Sequence, residues 1–155
     1  MKIQPYRFFD YDVCLWVDGN MRIRCNLDEF SARFPDALFV VAPHPDRDCI
    51  YEEAKAIVRY GKDKMRNMEQ QITLYREDGY PEHAGLCETN IMLRRHNSLV
   101  NTLMEIWADW LRRYSHRDQM SLNYCMWKLG FEYTRIPEDV RKKCFQWRGH
   151  KGYEK

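Results

Sequence analysis

Short apolar runs alternate along this chain with stretches of helical periodicity, and that alternation restricts the fold more than any other feature. Residues 12 to 17 (DVCLWV) form a compact apolar run that ends in Asp18-Gly19-Asn20, three turn-forming residues. A buried strand that empties into a tight polar loop is the expectation. Asn26 can cap a short helix from Leu27 to Phe34, which Pro35 closes, and Leu38 to Ala42 is a second apolar run with a β-branched centre. Two strands with a helix between them point to an α/β layer.

Further along, Asp48 is placed to cap the helix CIYEEAKAIVRYG, in which Ile50, Ala54, Ile57 and Val58 share a face and Gly61 marks the stop. A polar helix is predicted from Lys64 to Arg76, then a break at Asp78-Gly79-Tyr80-Pro81, then a strand from Thr89 to Leu93. Ser98 to Arg113 sets Leu99, Leu103, Ile106, Trp107, Trp110 and Leu111 along one stripe, and Arg117 to Leu129 ends at Gly130. Phe131 to Ile136 reads as a closing strand, and residues 137 to 155 as an irregular basic tail. With 155 residues the expectation is one domain spanning 1–155. Its fold class is α/β, a small mixed sheet flanked by helices.

Composition excludes several classes. The chain is 45% apolar and 31% charged, which suits a globular protein, and its net charge of +2 is too small for a dedicated nucleic-acid binder. No segment approaches the roughly 20 apolar residues that span a bilayer, and the first residues lack a leader's apolar core. The six cysteines form no C-x-x-C pair, so buried free thiols and a cytoplasmic setting are expected. The five histidines have no H-x-x-x-H spacing, and no P-loop, G-x-G-x-x-G or G-x-S-x-G is present.

Three clusters can carry chemistry. Asp18-Gly19-Asn20 offers a carboxylate and a second oxygen donor beyond a strand end, which can hold a divalent cation on a diphosphate or simply make a hairpin turn. Arg117-Asp118-Gln119, with Ser121 and Asn123, opens a helix; an acid beside an amide grips sugar hydroxyls, or merely complements the helix dipole. Glu88, Asn90 and Arg94 alternate with apolar residues and so share a face, which lines either a polar cleft or the solvent side of an edge strand.

Taken together, YDVCLWVDGNMRI, APHPDRDCIYEEAKAI, YREDGYPEHAGLCETNIMLRRHN and RDQMSLNYCMWKLG occur in order and resemble one family. This is the glycosyltransferase-like domain family that includes plant proteins linked to mucilage and turgor control, itself similar in outline to GT-A enzymes of the family-eight type. The resemblance implies the later, metal and acceptor, part of a GT-A fold, and a nucleotide-sugar donor with a carbohydrate or protein acceptor. It implies Mn2+ or Mg2+ on Asp18 and Asn20, with His150 completing the set, although Asn20 departs from the acidic D-x-D pattern. Asp118 becomes the acid nearest the reacting carbon, and Trp16, Glu88, Asn90, Arg94, Arg117 and Gln119 the substrate contacts. In GT-A enzymes a nucleotide-binding unit precedes the D-x-D loop, so this chain is expected to lack that half. Alone it should bind nucleotide sugars weakly, turn over little, and associate as a homo-oligomer or with a partner chain through residues 5 to 17, where Tyr6, Phe8, Phe9 and Trp16 cluster. The rival expectation is a non-catalytic sugar- or phosphate-binding or regulatory protein derived from such an enzyme. A nucleic-acid partner is the least expected.

Overall fold

A computed structural model describes residues 1–148. Its sheet has the order β1-β4-β3-β5, where β1 is Val13–Val17, β3 Phe39–Pro43, β4 Cys87–Arg95 and β5 Thr134–Arg135. The nine-residue β4 is central and runs antiparallel to β1 and β3, while β5 runs parallel to β3. The sheet is therefore mixed, as expected.

The apolar runs are continuous because both faces of the sheet are covered. Phe39, Val41 and Met92 face one core, which they share with α2 (Ile50–Arg59), α3 (Met65–Glu77), α4 (Ser98–Arg113) and α5 (Gln119–Lys128). Val40, Ala42, Ile91 and Leu93 face the other, against Phe30 of α1 (Leu27–Ala32) and Val140 and Cys144 of α6 (Glu138–Cys144). Trp107 of α4 is wholly buried at the centre of the larger core. Every residue of α5 from Met120 to Met126 is buried, so this helix is enclosed rather than laid on the surface.

Local signals explain most boundaries. Asn26 Oδ1 accepts from the Asp28 and Glu29 amides at 2.8 and 3.2 Å, the expected cap of α1. Gly130, at φ 58°, ends α5, and the next amide, that of Phe131, bonds back to Met126 O at 2.8 Å. Two expectations need correction. Asp48 does not cap α2: the N-cap is Cys49, with no side-chain bond, and Asp48 Oδ1 instead meets His83 Nδ1 at 2.7 Å. Nor is the tail irregular from residue 137, because Pro137 leads into α6 and then β6 (Phe145–Trp147). Strand β6 pairs antiparallel with β2 (Met21–Ile23), so Asp18-Gly19-Asn20 does not close a hairpin between paired neighbours. Strand β1 pairs with β4 while β2 pairs with β6, and the turn passes the chain from one sheet to the other.

Candidate functional site

An irregularity in β4 builds the site. Val41 pairs with Met92, but the next β3 residue, Ala42, pairs with Glu88, so Thr89, Asn90 and Ile91 have no partners on β3. A bulge of this kind bends the strand and re-aims side chains. Glu88, Thr89 and Asn90 consequently all border one cleft of about 900 Å3, although strict alternation would turn the middle one away. On the other side of β4, the Asp18 amide bonds to Asn90 O at 2.8 Å, which seats the Asp18-Gly19-Asn20 turn at the cleft rim. The turn is closed by the Met21 amide on Asp18 O at 2.9 Å, and held to the end of β6 by the Arg148 amide on Asn20 O at 2.7 Å.

The opposite wall is the start of α5. Asp118 is its N-cap, with Oδ1 accepting from the Gln119 amide at 2.9 Å. Its backbone is fixed from within the core, since Trp107 Nε1 donates to Asp118 O at 3.0 Å. The two walls are tied by Asn123, whose Oδ1 accepts from the Cys87 amide at the head of β4 at 2.8 Å. Arg117, Asp118 and Gln119 thus face the same cleft as Asp18, Asn20, Glu88 and Asn90.

The two aspartates meet through one ammonium. Lys2 Nζ lies 3.2 Å from Asp18 Oδ1 and 2.6 Å from Asp118 Oδ2, and donates to Thr89 Oγ1 at 3.3 Å. Trp16 Nε1 donates to the same Asp18 Oδ1 at 2.7 Å, and its ring lies under the ammonium at 5.7 Å. Other charges in the cleft are also paired: Arg47 Nε with Glu53 Oε2 at 2.5 Å, and Arg141 with Glu88. Lys62, Arg117 and Arg148 line the cleft without an ion-pair partner among the described residues. Burial holds the His44 imidazole below its ordinary value of 6.5, and its Nδ1 accepts from the Asp46 and Arg47 amides at 3.1 Å each.

Two predicted substrate contacts fall elsewhere. Arg94 does not line the cleft: it is fully buried and donates to Lys2 O at 2.6 Å and Ile3 O at 3.2 Å, holding the first residues against β4. Alternation put it on the face of Glu88 and Asn90, but the bulge and the overlying chain separate them. Trp16 does not line the cleft either; it reaches the site through Asp18. His150 lies outside the described residues. Lys2, Lys62, Trp147 and Arg148 were not anticipated, and Trp147 stands 63% exposed at the cleft edge.

The donor set suits a hard cation. Asp18 and Asp118 supply two carboxylates and Thr89 a hydroxyl around a single positive charge, and Asn90 Oδ1, buried in the same wall, has no hydrogen-bond partner among the described residues. Among those residues no group of three His, Cys, Asp or Glu forms, so a cation here would keep water or phosphate ligands, as Mg2+ sites with one or two carboxylates do.

The cleft is thus lined by carboxylates and lies at the end of a strand, between a turn and a helix start. The TOD1/MUCI70 glycosyltransferase-like domain matches residues 2–149. The chain belongs to this family. The TOD1/MUCI70 domain here is 25% identical over 134 residues to a protein of Arabidopsis thaliana described as probable hexosyltransferase MUCI70. That alignment covers 79% of this chain and 23% of the relative, so the chain spans about a quarter of the relative's length. No solved structure matches it. No helix of the described residues is long and apolar enough to cross a membrane.

Proposed function

We propose that this domain transfers a hexosyl group from a nucleotide-sugar donor to a hydroxyl acceptor, with the diphosphate–sugar end of the donor in the cleft between Asp18 and Asp118. The observation that carries the reading is the meeting of these two acids, remote in sequence, at one ammonium in a cleft that also presents three cations without an ion-pair partner among the described residues. In such a transfer the bond from the anomeric carbon to the diphosphate breaks, a bond to the acceptor oxygen forms, and the acceptor hydroxyl loses its proton. Charge builds on the leaving diphosphate, which is where fixed positive groups lower the barrier.

Lys62, Arg117 and Arg148 are suited to the phosphate oxygens: Lys62 and Arg148 are exposed, Arg117 is half-buried, and none has an acid partner among the described residues. Gln119 and Asn90 offer amide groups for sugar hydroxyls, and Asp118 is the acid we assign nearest the reacting carbon. Mn2+ or Mg2+, held by Asp18 with Asn20 and Asp118 close by, would neutralise leaving-group charge when bound. Trp147 offers an apolar platform at the cleft edge for a sugar ring.

Calorimetric titration with uridine and guanosine diphosphate sugars in the presence of MnCl2 tests the assignment. At least one donor should bind to the wild type, and a sugar-transfer assay should show turnover lost in Asp118→Asn. Absence of binding by every donor, with the fold intact, removes the reading.

A further inference from the structure

The Lys2 ammonium occupies the position where a cation would bridge Asp18 and Asp118. Its three N–H groups have three oxygen acceptors within 3.3 Å, so as a hydrogen-bonding group it is saturated. Its backbone is anchored independently of the site. Buried Arg94 holds the Lys2 and Ile3 carbonyls, and Glu105 on α4 accepts from Gln4 Nε2 at 2.7 Å and Arg7 Nη2 at 2.7 Å. The side chain can therefore move while its origin stays fixed.

Formal charge decides what such an ammonium does. With Lys2 alone, the pair of carboxylates retains one net negative charge, which repels a diphosphate. A divalent cation between the carboxylates neutralises them, and the same lysine, no longer held there, adds a positive charge next to Lys62 and Arg117. We propose that Lys2 is a tethered counter-ion that shares one oxygen cage with the divalent cation: the cation displaces the ammonium, which then turns to the donor phosphates. This rests on the metal reading above and concerns how that site is loaded. It gives the site an order, cation first and donor second.

The two halves of the proposal predict effects of opposite sign for one substitution. In the full chain, Lys2→Met should bind Mn2+ about tenfold more tightly than wild type, because the competing charge is gone. In saturating Mg2+, the same variant should bind uridine diphosphate several-fold more weakly, because a phosphate contact is gone. Mn2+ binding is read from the loss of its free electron paramagnetic signal, and nucleotide binding by calorimetry. Lys2→Gln serves as a second variant, and the melting temperature reports on the fold of each. Lys2→Met/Asp18→Asn should lose the Mn2+ site.

If Mn2+ binds equally to wild type and Lys2→Met, and Asp18→Asn abolishes it in both, the metal reading stands and the shared cage is refuted. Weaker Mn2+ binding by both Lys2 variants refutes it as well, since that is the mark of a supporting rather than a competing residue. Unchanged uridine diphosphate binding refutes the second half. If neither protein binds Mn2+, the metal reading fails and takes the inference with it.

Discussion

Asn123 is the residue on which the geometry of the cleft should depend most steeply. It lies on α5 and is 4% exposed, and its Oδ1 is the acceptor for the Cys87 amide. Cys87 itself is fully buried at the start of β4, and the three residues after it border the cleft. Asn123→Leu keeps the branching and the number of side-chain heavy atoms, so no cavity opens, but a buried N–H loses its partner. Leaving such a group unsatisfied costs about 1–3 kcal/mol. Taking ~2 kcal/mol, the melting temperature should fall by roughly 4–8 °C in a domain of this size. Urea unfolding should give a lower midpoint with an unchanged slope, because the surface exposed on unfolding is the same. Amide exchange at Cys87 supplies the local readout: if it proceeds through global unfolding, it should accelerate by about thirtyfold. A loss under ~0.5 kcal/mol, together with unchanged Cys87 exchange, would show that the helix and strand are held by packing alone and that Asn123 is not the tie between the cleft walls.

Three further outcomes are expected. His44 has its folded-state value depressed by burial, so its contribution to stability is fully present above its ordinary value of 6.5 and is lost as pH falls below that toward the folded value; melting curves between pH 7.5 and 5 should drop more steeply for wild type than for His44→Asn, whose amide oxygen can still accept the turn bonds. The Cys25 thiol is pushed up to about 11, first by burial and then by its hydrogen bond with Cys144, so iodoacetamide should alkylate it about a hundredfold more slowly at pH 8 than an ordinary thiol, and Cys144→Ala should speed the reaction. Phe8 and Phe9 stand 62% and 55% exposed side by side, and if this patch is an association surface, sedimentation should show a dimer or larger species that Phe8→Ser/Phe9→Ser returns to monomer.

Regular elements were legible in this sequence wherever the pattern was local. The Asn26 cap, the glycine stops at Gly61 and Gly130 and the stripe of α4 are decided by residues within a turn or two of each other. What could not be read depended on residues brought together by the fold. Asp48 is a good cap by type, but His83, two helices further along the chain, takes its carboxylate. Strands β2 and β6 are three residues each, and nothing in Met21–Ile23 or Phe145–Trp147 alone separates them from loop; they exist because they pair with one another.

The site divides along the same line. Asp18 and Asp118 each sit at a boundary visible in the sequence, one at a strand end and one at a helix start, so both could be nominated separately. Their meeting follows from the central place of β4, which pairs with β1 on one edge and is bonded to α5 through Asn123. Arg94 was misplaced because alternation holds only along an unbroken strand, and the bulge at Thr89–Ile91 interrupts it. A buried arginine with carbonyls as its oxygen partners looks like a wasted charge until its role is seen: those carbonyls belong to Lys2 and Ile3, and Arg94 thereby sets where the Lys2 ammonium can reach. The residue that sequence reasoning assigned to the sugar acts one step back, on the ammonium shared by the two aspartates. Removing it by Arg94→Met should release residues 1–3 and leave Asp18 and Asp118 facing each other unneutralised, a repulsion that a divalent cation would relieve, so the variant should bind Mn2+ more tightly than wild type in the same paramagnetic titration.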